Sequence, residues 1–186
     1  DYFEIPNDAV LNDVNNDSYS VTAWFQPNSV PPGSGSDNDA TYGIVLKEGW
    51  HIGLTYDNQQ QFAMTTYLDG DTWAGAGTWS DTYATGKFYH VVGVVNRTLG
   101  TVAMYVDGEL KDTYTFTPGA TLKDYGSAQW RIGIGSPGAT NWKWPTDGII
   151  DDVRIYNRAL HPDEVTEVYE SGLPKGLRII KWVEVK

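Results

Sequence analysis

Cysteine is absent from the 186 residues, which removes disulfides and thiolate chemistry from consideration. It leaves the compartment open, because cysteine-free secreted proteins exist. Positive charge is scarce: 13 Lys and Arg stand against 24 Asp and Glu, for a net charge of −11. A phosphate backbone, an anionic membrane or a polyanionic glycan would be repelled, so no nucleic acid is expected as a partner. A neutral sugar or a cation would not be. No apolar run approaches the roughly 20 residues that span a bilayer. The chain starts at Asp1 without a methionine, which suggests a segment of a longer protein. A missing leader therefore says little. What the sequence does hold is 20 Gly, 12 Tyr and 8 Trp.

Nearly the whole chain alternates with period two. In SVTAWFQP, residues 20–27, Val21, Ala23 and Phe25 share one face and Thr22 and Trp24 the other. Strands are expected over 2–6, 20–27, 42–47, 50–56, 61–68, 89–96, 101–106, 109–116, 130–135 and 149–156. Asp57-Asn58 and Asp107-Gly108 mark turns. Residues 33–39 (GSGSDND), 69–87 and 135–148 are expected to be loops. The glycines of WRIGIG, Gly133 and Gly135, mark either a close approach of a ligand or another chain segment, or steric relief in a curved sheet. One helix is expected, over 163–169, with Pro162, Asp163 and Glu164 at its start and Gly172 as its stop. Many short strands with Gly/Asp/Asn turns and no intervening helices argue an all-β, two-sheet antiparallel sandwich with one short C-terminal helix.

The tryptophans divide by context. Trp130 shares phase with Ile132 and Ile134, and Trp50 with Ile52 and Leu54, so both are expected in the core. Trp24 stays ambiguous. Trp73 and Trp79 lie among small and polar residues in 70–86, and Trp142 and Trp144 in TNWKWPTDG. Strand alternation does not explain aromatics in polar loops, and loops commonly carry binding residues. An indole offers a flat apolar surface with a donor, which suits the C–H face of a sugar ring. The four are candidate stacking platforms, with Asn141, Lys143, Asp71 and Asp81 as hydrogen-bonding neighbours. They could instead pack beneath their own loops. No serine triad is evident, and His51, His90 and His161 are scattered. A strand histidine such as His51 or His90 reads as a hydrogen-bonded packing residue.

A set of motifs in order carries a family resemblance. YFEIP opens the chain; SVTAWFQP, FYHVVGVVN and MYVDGEL follow; GIIDDVRIYNRALHPDEVTEVY (148–169) closes it. Together these resemble the laminin-G-like jelly-roll domains of the concanavalin A-like lectin/glucanase superfamily, over residues 1–172. Residues 173–186 fall outside the pattern and are expected to be a C-terminal strand or linker of the same domain, with Leu177–Val185 strand-like. The resemblance implies a jelly roll, and roles ranging from carbohydrate-binding modules beside glycoside hydrolases to adhesive domains and domains of sialidase-like enzymes. Members that hydrolyse glycans alternate acids along one strand, since glycoside hydrolysis needs two carboxyls across the scissile bond. That pattern is missing: strands 50–56, 61–68, 89–96 and 130–135 hold no Glu, and Asp151 and Asp152 are adjacent, so on a regular strand they would face opposite ways. The family often holds a structural Ca²⁺, and Asp151 in the closing motif is the expected side-chain ligand. Asp13–Asp17 matches only half of an EF-hand spacing and reads as a polar turn. The expectation is a non-catalytic carbohydrate-binding module of an extracellular multidomain protein, taking a neutral poly- or oligosaccharide and attached to other domains. The alternative is a structural or adhesive domain that contacts proteins and binds no sugar. A divergent glycosidase is a weaker third.

Overall fold

The computed structural model describes residues 2–6, 11, 14–32, 41–47, 52–126, 128–135 and 144–172. Asn141, Trp142 and Lys143, together with Trp50, His51, Asp13, loop 33–39 and segment 173–186, lie outside the described residues.

Two antiparallel sheets face each other. One has the order β1 (Phe3–Glu4), β10 (Trp130–Ile132), β3 (Thr41–Lys47), β4 (Ile52–Asp57), β5 (Phe62–Leu68), β6 (Thr72–Gly77). The other has the order β13 (Gly148–Tyr156), β2 (Tyr19–Pro27), β7 (Tyr89–Asn96), β8 (Thr101–Val106), β9 (Glu109–Thr115). A two-stranded hairpin, β11 (Ile134–Gly135) and β12 (Trp144–Pro145), stands beside them. This is the expected jelly-roll sandwich. Alternation builds its core: Val21, Ala23 and Phe25 are fully buried between the sheets, against Leu54, Met64 and Met104. Trp130 is buried there too, its indole N–H donating to the Leu11 carbonyl at 3.1 Å.

Phe62 is the hub of an aromatic cluster at one end of the core. Its ring centroid lies 4.9 Å from Tyr83, 5.1 Å from Tyr56 and 5.7 Å from Tyr89. Tyr83 belongs to the connection between β6 and β7, so this plug ties that connection to the core.

The helix α1 (Pro162–Gly172) covers the outer face of the five-stranded sheet, where Leu160 and Val165 pack on Val92, Val94, Ala103 and Tyr105. Glu164 reaches back to the His161 N–H at 2.8 Å, satisfying one of the helix's free donors. Trp24, on the outward face of β2, is capped by His90 and by Tyr169 of α1, with ring centroids at 5.1 and 5.8 Å. Its role is structural. His90 is a packing residue as expected, but its buried Nδ1 has no hydrogen-bond partner among the described residues.

Three expectations need correction. Segment 69–87 is not all loop, because Thr72–Gly77 is the edge strand β6. Gly133 interrupts the expected strand 130–135: at φ 82° it breaks the run between β10 and β11, which answers why glycine stands there. The alternation argument for Asp151 and Asp152 also fails, because a bulge shifts the β13–β2 register between Asp151 and Arg154, with Asp152 at φ 46°.

Candidate functional site: an aromatic platform on an edge strand

The sequence from Thr72 to Trp79 reads TWAGAGTW. Ala74 and Ala76 point into the core, opposite Thr66 and Met64 of β5. Alternation therefore sends Trp73, Gly75 and Gly77 to the outer face of the six-stranded sheet. Pairing carries on past β6: the Thr78 N–H donates to the Phe62 carbonyl and the Phe62 N–H to Thr78 Oγ1, each at 2.9 Å. Trp79 thus keeps phase with Gly77.

The indoles meet the two glycines differently, Trp73 by one edge atom and Trp79 by its face. A Cβ on Gly75 would fall 2.6 Å from Trp73 Cζ2. A Cβ on Gly77 would fall 2.4, 2.5 and 2.6 Å from Cζ2, Cη2 and Cε2 of Trp79. Near-equal distances to three consecutive ring atoms put that point over the ring's face, since a point beyond the edge would lie much farther from the flanking two. One face of Trp79 therefore rests on the Gly77 backbone. Trp73 is 42% and Trp79 50% exposed. Tyr67 stands directly across from Trp73 on β5, and Tyr114 of β9 meets Trp73 edge-on at 5.7 Å.

Polar groups flank the rings at both ends. Beside Trp79, residues 77–81 with Lys111 and Asp112 line a cleft of about 100 Å³. Asp112 Oδ2 accepts the Gly77 N–H at 3.2 Å, joining the edges of the two sheets. Lys111 Nζ donates to Glu109 Oε2 at 2.9 Å, and this bond raises its pKa. The Tyr83 hydroxyl donates to Asp81 Oδ2 at 3.3 Å; burial first, and then the Asp81 charge, push its pKa up. The Tyr56 hydroxyl donates to the Tyr83 carbonyl at 2.8 Å, which further anchors the loop behind Trp79. At the Trp73 end, the turn Gly70-Asp71 takes positive φ at both residues. Asp71 pairs with Lys123, whose Nζ also sits 5.0 Å from the centre of the Tyr125 ring.

The structure thus brings Trp73, Trp79, Asp71 and Asp81 to one sheet edge. Trp144 is not among them: its backbone lies in β12, paired with Gly135 of β11. Lys111, Asp112, Tyr114 and Tyr67 were not singled out by the sequence reading. The W-x-G-x-G-x-W alternation was the signal available for the strand itself. Nothing local marked Lys111 and Asp112, which lie more than thirty residues away along the chain.

Asp151 lies elsewhere, exposed on β13 opposite Trp24, with Oδ1 accepting the Asp152 N–H at 2.8 Å. Asp152 forks onto Arg154 at 2.8 and 2.7 Å. Among the described residues no three His, Asp or Glu side chains gather as a metal site.

The Laminin_G_3 profile matches residues 1–166. The chain belongs to the Laminin_G_3 family of the concanavalin A-like lectin/glucanases superfamily. Solved structures share the Laminin_G_3 chain's fold at low identity. A Trypanosoma rangeli sialidase, in complex with 2,3-difluoro-KDN, is 23% identical at a TM-score of 0.59, over 85% of this chain and 23% of that one. The binding domain of botulinum neurotoxin DC, in complex with SialylT, is 15% identical at 0.59, over 91% and 39%. Domain 4 of AbnA, a GH43 extracellular arabinanase from Geobacillus stearothermophilus, in complex with arabinotriose, is 23% identical at 0.56, over 89% and 71%. The Laminin_G_3 chain therefore spans less than half of the sialidase and toxin chains. No curated protein sequence matches it. No helix among the described residues is long and apolar enough to cross a membrane.

Proposed function

We propose that this Laminin_G_3 domain is a non-catalytic carbohydrate-binding module of an extracellular multidomain protein, and that it binds its glycan on the Trp73–Trp79 platform. One observation carries the reading: a half-exposed Trp79 indole seated on Gly77 is a flat apolar surface of the kind a pyranose or furanose C–H face stacks on. The lectin/glucanase family and neighbours in complex with arabinotriose and sialylated or sialic-acid-like ligands support a sugar ligand without naming it. In this reading Asp71 and Asp81, both exposed, accept from sugar hydroxyls.

The test is migration through native gels cast with neutral polysaccharides. The wild-type domain is expected to be retarded by at least one, and Trp73→Ala and Trp79→Ala each to lose most of that retardation with an unchanged melting temperature. Retention of both variants equal to wild type would move the site elsewhere.

The competing reading, a structural or adhesive domain that contacts proteins, draws on β1, the sheet edge among the described residues. There Phe3 is 73% and Tyr2 50% exposed, more apolar ring than a solvated edge needs. Failure of every polysaccharide to retard the domain would favour it.

A further inference from the structure

Resting on the carbohydrate reading above, we infer that the ligand is an unbranched, uncharged glycan chain that lies lengthwise along β6 and is held through successive internal units rather than by a terminal sugar. Trp73 meets Gly75 with its Cζ2 edge and Trp79 lies over Gly77, two exposed indoles whose contacts fall two residues, about 7 Å, apart on one strand. Rings in series along one straight edge suit consecutive units of an extended chain, whereas a terminal sugar needs one ring and an enclosing pocket.

The cleft beside Trp79 is too small for that second role. Its ≈ 100 Å³ lies well below the roughly 300 Å³ at which ligand pockets begin. It admits a hydroxyl or hydroxymethyl projecting from a chain that continues past it. Hydrogen-bonding groups flank both rings, Asp71 with Lys123 near Trp73 and Asp81 with Asp112 near Trp79. That arrangement matches a ligand longer than the rings themselves.

Charge decides the class. Both lysines at the platform are engaged by carboxylates, Lys123 by Asp71 and Lys111 by Glu109. A sugar carboxylate would find no uncommitted cation at these two positions and would face Asp71, Asp81 and Asp112.

The experiment is calorimetric titration of the whole domain with arabino-, xylo- and cello-oligosaccharides from one to six units, and with 3′-sialyllactose. For one neutral series, affinity is expected to rise at least tenfold between one and four units and then level off. Reduction of the terminal unit to its alditol should leave the longer members unaffected. Trp79→Ala and Trp73→Ala are each expected to flatten that rise. Equal affinity for one unit and for six, or strongest binding by 3′-sialyllactose, would overturn the chain reading and leave the carbohydrate reading standing. No binding by any probe would overturn both.

Discussion

At Gly77 the absence of a side chain gives the Trp79 ring its seat. Any Cβ there would enter the space of the Trp79 ring, which is the far end of a side chain free to swing toward solvent. Gly77→Ala is therefore expected to leave the fold intact and to tilt the indole off the strand. Glycan retention should drop at least tenfold, about 1.4 kcal/mol, with Trp79 still present. Trp fluorescence checks the displacement and affinity gels the consequence; undiminished retention would show that the ring's seat on Gly77 is irrelevant to binding. Much of this was readable before the structure. The polar surroundings of Trp73 and Trp79 marked them as candidates, and Asp71 and Asp81 came with them. The seat itself was not readable, because glycine and alanine are weak strand formers and their alternation was masked by the loop-like composition of 69–87.

Among the elements, β6 and the segment leading to α1 show how edges are secured. β6 is held on one side by β5 and on the other by Asp112 of β9, through the Gly77 N–H. The chain entering α1 hangs on one buried hydroxyl. Ser20 Oγ donates to the Arg158 carbonyl and accepts the Leu160 N–H, both at 3.0 Å. Ser20→Ala leaves a buried N–H without its acceptor, which costs about 1–3 kcal/mol. Urea unfolding should show a lower midpoint at an unchanged slope, and proteolysis near 158–172 should be faster. A midpoint equal to wild type would mean that water replaces the hydroxyl without loss. The strands and helix were legible because core alternation and turn chemistry agree. Val21, Ala23 and Phe25 fell on the buried face as read, and Asp107-Gly108 takes the positive φ pair, 52° and 81°, of a tight hairpin. The bulge at Asp151–Arg154 was not legible, since bulges follow from how a strand must bend over its neighbours.

For the molecule as a whole, the acid side of its stability curve is set in part by His90. The ring is 1% exposed, packed against Trp24 and Tyr169, and burial lowers its pKa to about 4. Asp152 opposes this shift and Arg154 adds to it. The unfolded chain takes up the proton near pH 6.5, the folded one only near pH 4. The contribution is therefore complete above pH 6.5 and is lost as pH falls toward 4, up to about 3 kcal/mol in all. Denaturation at pH 7 and pH 4.5 should show the loss in wild type and a smaller one in His90→Phe; equal losses would assign the effect to other groups. At this scale the division between sequence and fold is plain. Composition, alternation, turn residues and the ordered motifs determined the all-β sandwich, its core faces, its helix and its superfamily, because each depends on residues near one another in the chain. Charge scarcity alone turned attention to neutral ligands. Only the tertiary structure decided that Lys111, Asp112 and Tyr114 of β9 stand beside Trp73 of β6 and Trp79. Those relations join the edges of two different sheets, and no local pattern encodes which edges will meet.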